Sequence, residues 1–304
     1  MLNDFLQSQS IRHRTHEPLA PRTTFGVGGP ADWWVEPEDF RRLSLLMRFL
    51  SNQGVPWVVM GRGANILISD EGYRGVVIHL SGRFRNVRVR PPHLFVGAAA
   101  SLGRAAWVGI KTGLAGLEKM LAVPSSVGGA LIMNAGCYGQ EISQVLEWVL
   151  LMDPKGRTRL LRAADLAFGY RTSPLRDKGI VCFAGLCLNA QEEKVLLGRA
   201  RDTVRKRQAN LPPGKSAGSV FKNPPGFKAR ELIGACGLGG TVIGGAKISN
   251  QHPNFILNVD WASAGDILDL IRLAKGKVFE KHGVLLEEEV RYLGIEPPPF
   301  PHHS

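Results

Sequence analysis

The sequence predicts a protein of mixed helices and strands that is organised in two or three domains. The chain has 304 residues, which is more than one hydrophobic core usually serves. Its hydrophobic fraction of 44% and charged fraction of 21% are ordinary for a folded globular protein. Segments with helical spacing of apolar residues alternate with short apolar runs typical of strands, and glycines separate them.

The first half of the chain shows clear start and stop signals. Leu43, Leu46 and Leu50 share one helical face, and Gly54 follows as a stop signal. Ser101 can cap a helix that runs to about Lys111 and stops at Gly113. Strands are expected at residues 56–60, 66–68, 75–80, 86–90, 94–97, 145–152 and 180–188.

A long charged helix over residues 192–210 separates the two halves, because the Pro212-Pro213-Gly214 run breaks it. We expect a domain boundary near this helix. Beyond it the patterns predict a helix at 229–236, strands near 242 and 255–257, an amphipathic helix at 263–281 and a last strand at 284–293. The proline-rich tail at 296–304 should be loose.

Charge and apolar content limit the location and the partners. No apolar run approaches the roughly 20 residues that span a bilayer, and the N-terminus lacks a signal-peptide pattern. We therefore expect a cytoplasmic protein without a membrane partner. The net charge of +12 favours anionic partners, either nucleic acid or phosphate-rich small ligands. No helix-turn-helix, zinc-finger spacing or aromatic RNA platform is evident, so we expect no nucleic-acid partner. The sequence contains no CxxC pair, so we expect no metal site.

Glycines cluster in four segments, at residues 25–29, 61–65, 124–130 and 134–139. Any one cluster can be explained as a tight turn between strands. A Rossmann fingerprint is not met, since Ile66 stands where its third glycine belongs, and no P-loop is present. Together the clusters are compatible with a pyrophosphate cradle made from several loops, which would suit FAD bound outside the Rossmann scheme.

The same segments carry a family resemblance. The segments are residues 24–31, 61–70, 113–118, 124–129, 133–139, 170–173, 216–224, 244–258 and 286–291. In this order they resemble the UDP-N-acetylenolpyruvoylglucosamine reductase (MurB) family, over about residues 20–294. Three positions depart from the family pattern: Ala64 stands for serine, Ser125 for glycine, and Lys247 for a neutral residue. The short stretch 173–205 lacks the insertion that carries a tyrosine lid, so the chain resembles the shorter branch.

The resemblance implies an α+β fold class. A two-subdomain FAD-binding unit of the vanillyl-alcohol oxidase (PCMH-type) superfamily would be followed by a C-terminal α+β substrate domain. The implied boundaries are 1–82 for FAD-binding subdomain 1, 83–195 for subdomain 2, 196–295 for the substrate-binding domain, and 296–304 for a disordered tail. A monomer is expected.

The resemblance also implies a reaction. The family reduces UDP-N-acetylglucosamine enolpyruvate to UDP-N-acetylmuramate in peptidoglycan precursor synthesis. FAD is the cofactor and NADPH the co-substrate, with hydride passing from NADPH to FAD and then to substrate C3, while C2 is protonated. Three alternatives stay open: another FAD-dependent oxidase or dehydrogenase of the superfamily, a nucleic-acid-binding module, and an inactive scaffold.

The resemblance assigns site residues by position. The implied catalytic residues are Ser219 as proton donor to C2, with Arg171 and Glu289 as electrostatic partners. Otherwise Ser219 is a turn serine and Arg171 a surface ion-pair partner. Glu287 is the rival of Glu289; burial would favour the protonated carboxyl, so a raised pKa is expected for Glu289. The cofactor-binding candidates are Gly61, Arg62, Gly63, Ala64, Asn65, Ile66, Pro124, Ser125, Ser126, Gly128, Gly129, Asn134, Ala135, Gly136 and Tyr138. The substrate-binding candidates are Tyr170, Lys215, Lys222, Asn223, Lys247 and Asn254, some of them for the diphosphate, with solvated lysines as the alternative.

Overall fold

The computed structural model describes residues 1–298 and divides them into two compact units. The first unit consists of Met1–Thr15, Trp33–Arg62 and Gly75–Arg207. The second consists of His16–Asp32, Gly63–Arg74 and the chain from Gln208 onward. Both units are discontinuous along the sequence, whereas the three domains expected above are continuous, and their boundaries stay a proposal.

Seven α-helices lie in the described residues: α1 (Leu2–Ser8), α2 (Phe40–Gln53), α3 (Leu102–Lys111), α4 (Val127–Ile132), α5 (Glu193–Asn210), α6 (Ala229–Ala235) and α7 (Ala264–His282). The capping and stop residues expected from the sequence lie at the ends of α2 and α3. Ser101 caps α3 by accepting a hydrogen bond from the Arg104 N–H, and Gly54 ends α2 with φ of 62°. Over residues 1–298, no helix combines the length and apolar character needed to cross a bilayer.

The strands are β1 (Arg12–Pro18), β2 (Pro30–Glu36), β3 (Trp57–Val59), β4 (Ile66–Ile68), β5 (Tyr73–Ile78), β6 (Val87–Arg90), β7 (His93–Gly97), β8 (Leu114–Ala115), β9 (Gly136–Cys137), β10 (Gln140–Glu141), β11 (Leu146–Met152), β12 (Thr158–Arg162), β13 (Ile180–Cys187), β14 (Asn189–Ala190), β15 (Val242–Ile243), β16 (Ala246–Ile248), β17 (Ile256–Asn258) and β18 (Arg291–Leu293). Most are short and belong to six small sheets.

The first unit is built around an antiparallel five-stranded sheet in the order β12-β11-β13-β7-β6. One face of this sheet is apolar and buried, as Val96, Val149 and Ala184 show. In β11, Val149 lies between the more exposed Trp148 and Leu150, which is the period-2 pattern of a half-buried strand, whereas the central β13 is buried over nearly its whole length. A four-stranded sheet follows the order β1-β2-β5-β3.

The second unit packs α6 and α7 beside the three-stranded sheet β15-β16-β17. Ile267, Leu270 and Ile271 form the buried stripe of α7. The short parallel pair of β4 and β18 belongs to the same unit, with Ile66 opposite Arg291. This pairing ties the segment after Glu289 to one glycine loop of the predicted cofactor site.

The expected strand at 284–293 is wrong in its first part, since only Arg291–Leu293 forms a strand. The N–H groups of Glu289 and Val290 both donate to the carbonyl of Val220, at 2.7 and 3.4 Å. Two residues therefore oppose one, as in a β-bulge, and the ladder is interrupted. The predicted tail begins at Glu296, yet Pro298 is buried; residues 299–304 lie outside the described part of the chain.

Candidate active site

A surface pocket of about 250 Å³ lies within the first unit. It is lined by Gly136, Cys137, Tyr138, Gly139, Gln140, Glu141, Tyr170 and Arg171. Four of these residues were predicted to bind cofactor or substrate or to take part in catalysis. The structure thus brings Gly136, Tyr138, Tyr170 and Arg171 together although they come from two separate sequence motifs.

The backbone around this pocket is strained. Asn134, Tyr138 and Arg171 have φ of 41°, 48° and 54°, in the left-handed region that favours glycine. Tyr138 and Gly139 are the two central residues of the turn between β9 and β10, where positive φ at both positions is typical of a type I′ hairpin. Such strain persists only where surrounding contacts fix it, and it is concentrated at functional sites.

Arg171 is held at the end of a tight turn. Gly169 and Thr172 exchange two backbone hydrogen bonds of 3.1 and 3.2 Å around Tyr170 and Arg171. The Arg171 guanidinium carbon lies 5.6 Å from the centroid of the Tyr170 ring, which is half exposed. The turn therefore presents an aromatic ring and a cation side by side at the pocket.

Asn134 connects the two segments that line the pocket. Its side chain is fully buried, and its Nδ2 donates to Glu141 Oε2 at 2.9 Å and to the Gly169 carbonyl at 3.0 Å. Its Oδ1 accepts from the Ser143 N–H at 3.3 Å. The amide is therefore fully used in holding the hairpin beside the Arg171 turn, and we infer a positioning role for it.

Glu118 supports the same hairpin from below the surface. It is 4% exposed, and its Oε2 accepts from the Gly116 N–H at 2.8 Å and from Gln140 Nε2 at 3.5 Å. Burial alone would raise the pKa of Glu118, but these hydrogen bonds and the charge of Arg199 outweigh it and lower the pKa below its usual value. The sequence motif contained Glu118 without revealing this role.

Glu118→Gln is expected to destabilise the protein by about 1–3 kcal/mol near neutral pH. The Glu118 carboxylate acts only as a hydrogen-bond acceptor, and the NH2 group of a glutamine side chain cannot accept these bonds. Since the folded-state pKa is lowered, the stabilisation is present above the unfolded-state pKa and is lost as pH falls through the folded-state value. Urea unfolding of both proteins over a pH series measures this. A gap that stays constant, or widens, as pH falls would contradict the assignment.

The glycines at 128 and 129 serve close packing around α4. The first three N–H groups of α4 donate to the carbonyls of Ala100 and Ala98 and to Ser126 Oγ, at 2.9, 2.8 and 3.2 Å. These donors are already used, so they do not form a phosphate cradle. At Gly61 a β-carbon would lie 2.4 Å from Ser126 Oγ, so a larger residue would displace the Ser126 hydroxyl that caps α4. The remaining predicted residues here, Pro124 and Ser125, lead into the helix.

The rest of the glycine loop, Gly63–Ile66, belongs to the second unit and is fixed at both ends. The Gly63 carbonyl accepts from the Thr24 N–H at 3.0 Å. Asn65 Nδ2 donates to the Glu289 carbonyl at 2.9 Å, and the Asn65 carbonyl accepts from the Arg291 N–H at 3.0 Å. Arg62 is exposed, whereas Ala64 and Ile66 are half-buried. The loop is therefore ordered by contacts with the segment that carries Glu289.

Ser219 lies in an extended segment between two other segments of the second unit. It forms a bridge with Phe255 on one side, and its neighbour Val220 accepts from the Glu289 N–H on the other. Asn254 clamps the segment: its Oδ1 accepts from the Phe221 N–H at 2.9 Å and its Nδ2 donates to the Phe221 carbonyl at 2.8 Å. Asn254 is 3% exposed, so its amide acts inside the protein as a positioning group. Ser219 and Glu289 are thus brought together, while Arg171 belongs to the first unit.

The predicted diphosphate residues differ in their surroundings. Lys222 pairs with Glu287, which neutralises its charge locally. Lys215 is exposed, and its Nζ lies 5.8 Å from the exposed Trp261 ring. Asn223 Oδ1 accepts from the Ala229 N–H at 3.1 Å near the start of α6, and Lys247 is half-buried in β16. Lys215 and Lys247 therefore fit an anion better than Lys222 does.

His252 has the surroundings of a packing residue. Burial lowers its pKa, and the charge of Arg230 lowers it further, so the ring is neutral near neutral pH. The ring packs edge-on against Phe255, with centroids 4.7 Å apart. Both features agree with a packing residue.

The pocket of the first unit fits part of a flat cofactor. At Gly136 a β-carbon would lie 3.0 Å from Glu141 Cγ and 3.7 Å from Arg171 Nη1, so glycine allows both side chains to approach the backbone of the pocket wall closely. Tyr138 and Tyr170 offer half-exposed rings. A volume of about 250 Å³ is below the roughly 300–1,000 Å³ of a complete ligand site. The residues therefore suit a ring and a nearby anionic group, and not the whole of a dinucleotide.

Comparison with known proteins is consistent with this geometry. A family model described as an FAD binding domain matches residues 31–162, and one for the C-terminal domain of UDP-N-acetylenolpyruvoylglucosamine reductase matches residues 207–293. The chain is 39% identical to the UDP-N-acetylenolpyruvoylglucosamine reductase of Heliobacterium modesticaldum, covering 91% of this chain and 90% of that protein. It is 40% identical to the reductase of Carboxydothermus hydrogenoformans, covering 92% and 93%. The crystal structure of the reductase (MurB) from Thermus caldophilus superposes with a TM-score of 0.80 at 36% identity, covering 93% of this chain and 98% of that one.

Proposed function

The chain belongs to the UDP-N-acetylenolpyruvoylglucosamine reductase family, and on that premise we propose how its own residues carry out the reaction. The predicted α+β fold class is confirmed, as are an FAD-binding domain and FAD as the cofactor. The chain is a UDP-N-acetylmuramate dehydrogenase of peptidoglycan precursor synthesis and acts on a UDP-sugar. When bound, FAD supplies the relay by which a hydride from NADPH reaches C3 of the enolpyruvyl group.

Ser219 donates the proton that C2 of the substrate needs. Addition of hydride at C3 leaves carbanion character at C2 beside a carboxylate, and a strongly basic carbon can take a proton from a hydroxyl. Support comes from the rigid placement of Ser219 between Phe255 and the Glu289 segment. Gly218 has φ of 82° and no atom within 4 Å of the β-carbon position, so a substrate can approach from that side.

Arg171 stabilises the negative charge that develops on the substrate. A guanidinium can bind a carboxylate or an enolate through two parallel N–H bonds. Its left-handed backbone and its place in the pocket support this role. Tyr170, Lys215 and Lys247 contribute to substrate binding, and the net charge of +12 suits a substrate that carries a diphosphate and a carboxylate.

Glu289 acts as a protonated hydrogen-bond donor to the enolate. The observation that carries the whole proposal is its backbone: the Glu289 N–H bonds to Val220, next to Ser219, and its carbonyl bonds to Asn65 of the glycine loop. Proton donor, acid and cofactor loop are therefore joined within one unit. In the first unit the residues that would hold FAD are Gly61, Arg62, Ser126, Gly136 and Tyr138, and in the second unit they are Gly63–Ile66.

The test is an anaerobic mixing experiment. NADPH should reduce the flavin of the purified protein, and UDP-N-acetylglucosamine enolpyruvate should then restore the absorbance of oxidised flavin. UDP-N-acetylglucosamine without the enolpyruvyl group is the control and should not. Failure of the substrate to reoxidise the flavin, with rapid reoxidation by oxygen instead, would favour an oxidase of the same superfamily.

Location and assembly extend the proposal. NADPH and nucleotide sugars are cytoplasmic metabolites, so we place the reaction in the cytoplasm. For the assembly we propose a monomer. Size-exclusion chromatography with light scattering would measure the oligomeric state.

A further inference from the structure

Lys275 is a buried cation that the proposed reaction does not use. It lies on α7, where its side chain is 3% exposed, and its Nζ donates to Glu288 Oε1 at 2.7 Å and to the Pro298 carbonyl at 3.1 Å. Ile271 and Val278, one turn away on either side, are fully buried. A lysine and a glutamate in such surroundings are kept only where each partner satisfies the other.

The partner of this lysine stands beside the proposed acid. Glu287, Glu288 and Glu289 are consecutive, and side chains alternate between faces in an extended segment. Glu287 is 63% exposed and pairs with Lys222, whereas Glu288 is 10% exposed and pairs with Lys275. Three similar carboxylates are therefore distinguished by their partners, and the buried cation selects which one turns inward.

Backbone contacts make the segment sensitive to this choice. Glu288 forms a bridge with Phe221, and the Lys222 N–H donates to the Glu287 carbonyl at 2.9 Å. If Lys275 loses its charge, the Glu288 carboxylate is buried without a counter-charge and must turn toward water. We expect such a turn to rotate the adjoining peptide and to displace the Glu289 side chain from its position.

We propose that the buried Lys275–Glu288 ion pair is a positioning device that fixes the register of residues 287–289 and thereby aims Glu289 at the substrate. Lys275 acts through Glu288 and is not itself in contact with the reacting atoms. The inference rests on the proposed role of Glu289 in the reaction.

Lys275→Met is expected to slow flavin reoxidation by substrate about 10²-fold, because a displacement of about 1 Å at a reacting group costs that much. Flavin reduction by NADPH should stay within about twofold of wild type, because Glu289 takes no part in that step. The double variant Lys275→Met/Glu288→Met should recover reoxidation, since two apolar side chains replace a buried pair without leaving a charge. Stopped-flow measurement of each half-reaction gives both rates.

Two further variants keep the test decisive. Lys275→Gln keeps a donor but not the charge; it should slow reoxidation about tenfold, and it covers the case in which Lys275→Met does not fold. Lys277→Met is the control, because Lys277 forms an exposed pair with Glu280 on the same helix, and neither half-reaction should change. A merely structural pair would lower the melting temperature while leaving both half-reactions of the folded protein unchanged, and that result would overturn the inference.

Glu289→Gln separates this inference from the proposed function. If Glu289→Gln slows reoxidation but Lys275→Met and Lys275→Gln do not, only the positioning role fails. If Glu289→Gln reoxidises at the wild-type rate, the proposed role of Glu289 fails first. A double variant as slow as Lys275→Met would also overturn the inference.

Discussion

Ser219→Ala is expected to slow the reoxidation of reduced flavin by substrate about 10²- to 10⁴-fold, which is the usual contribution of a positioned proton donor. Reduction of the flavin by NADPH should remain near the wild-type rate, because no proton is delivered to substrate in that step. The backbone of the segment that carries Ser219 is held by the Asn254 clamp on Phe221 and by the bridge to Phe255, so removal of the hydroxyl should change chemistry and not the fold. Stopped-flow spectroscopy of the two half-reactions measures the separation.

Ser216→Ala is the matched control for this experiment. Ser216 lies in the same loop, three residues before Ser219, and is also half-buried. Its removal should leave both half-reactions unchanged. Equal rates for Ser219→Ala and wild-type protein in the reoxidation step would remove Ser219 from the mechanism.

Arg171→Asn should lower the rate of substrate reduction about 10²- to 10³-fold without loss of stability. This decrease is the usual cost of removing one group that stabilises developing charge in the transition state. Arg171 has φ of 54°, and asparagine tolerates this left-handed backbone better than arginine does. The melting temperature should therefore be unchanged or higher, which separates function from folding. Calorimetry and steady-state kinetics on the same sample measure both effects.

Asp177→Asn provides the control for backbone strain. Asp177 has φ of 64° and is exposed, and it does not line the pocket. This substitution should change neither the rate nor the KM. An Arg171→Asn variant that reduces substrate at the wild-type rate would show that the strained turn serves some purpose other than charge stabilisation.

The parts of the fold that the sequence predicted are those with local signals. Asp39 caps α2 and Gly54 ends it, and Ser263 caps α7 through a reciprocal bond with Asp266, so these helices begin and end where side chains or φ require it. Strands with continuous apolar runs, such as β11 and β13, were also predicted to within a residue or two. The family, the α+β class and FAD follow from ordered motifs and are confirmed.

Strand β1 and helix α4 were missed because they lack such signals. Strand β1 consists of charged and polar residues and is mostly exposed, so no period-2 apolar pattern marks it. Helix α4 has six residues and begins in a glycine cluster that was interpreted as a loop. The division into two discontinuous units depends on long-range contacts such as the pairing of β4 with β18, which no local pattern encodes.

The candidate site could be predicted only in part for the same reason. Motif matching selected Ser219, Arg171 and Glu289, and their roles remain proposals. It could not show that Asn134 and Asn254 act through fully engaged amides, because that depends on which backbone groups lie opposite. Nor could it find Lys275, which is one charged residue among many until its burial is known.

The most direct test of the central claim is the configuration at C2 of the product. Reduction in D₂O by wild-type protein should give one C2 diastereomer that carries deuterium, because a fixed hydroxyl delivers the proton to one face. The small amount of product from Ser219→Ala should contain both C2 configurations, which proton NMR resolves. A single configuration, formed at the wild-type rate by Ser219→Ala, would contradict the account.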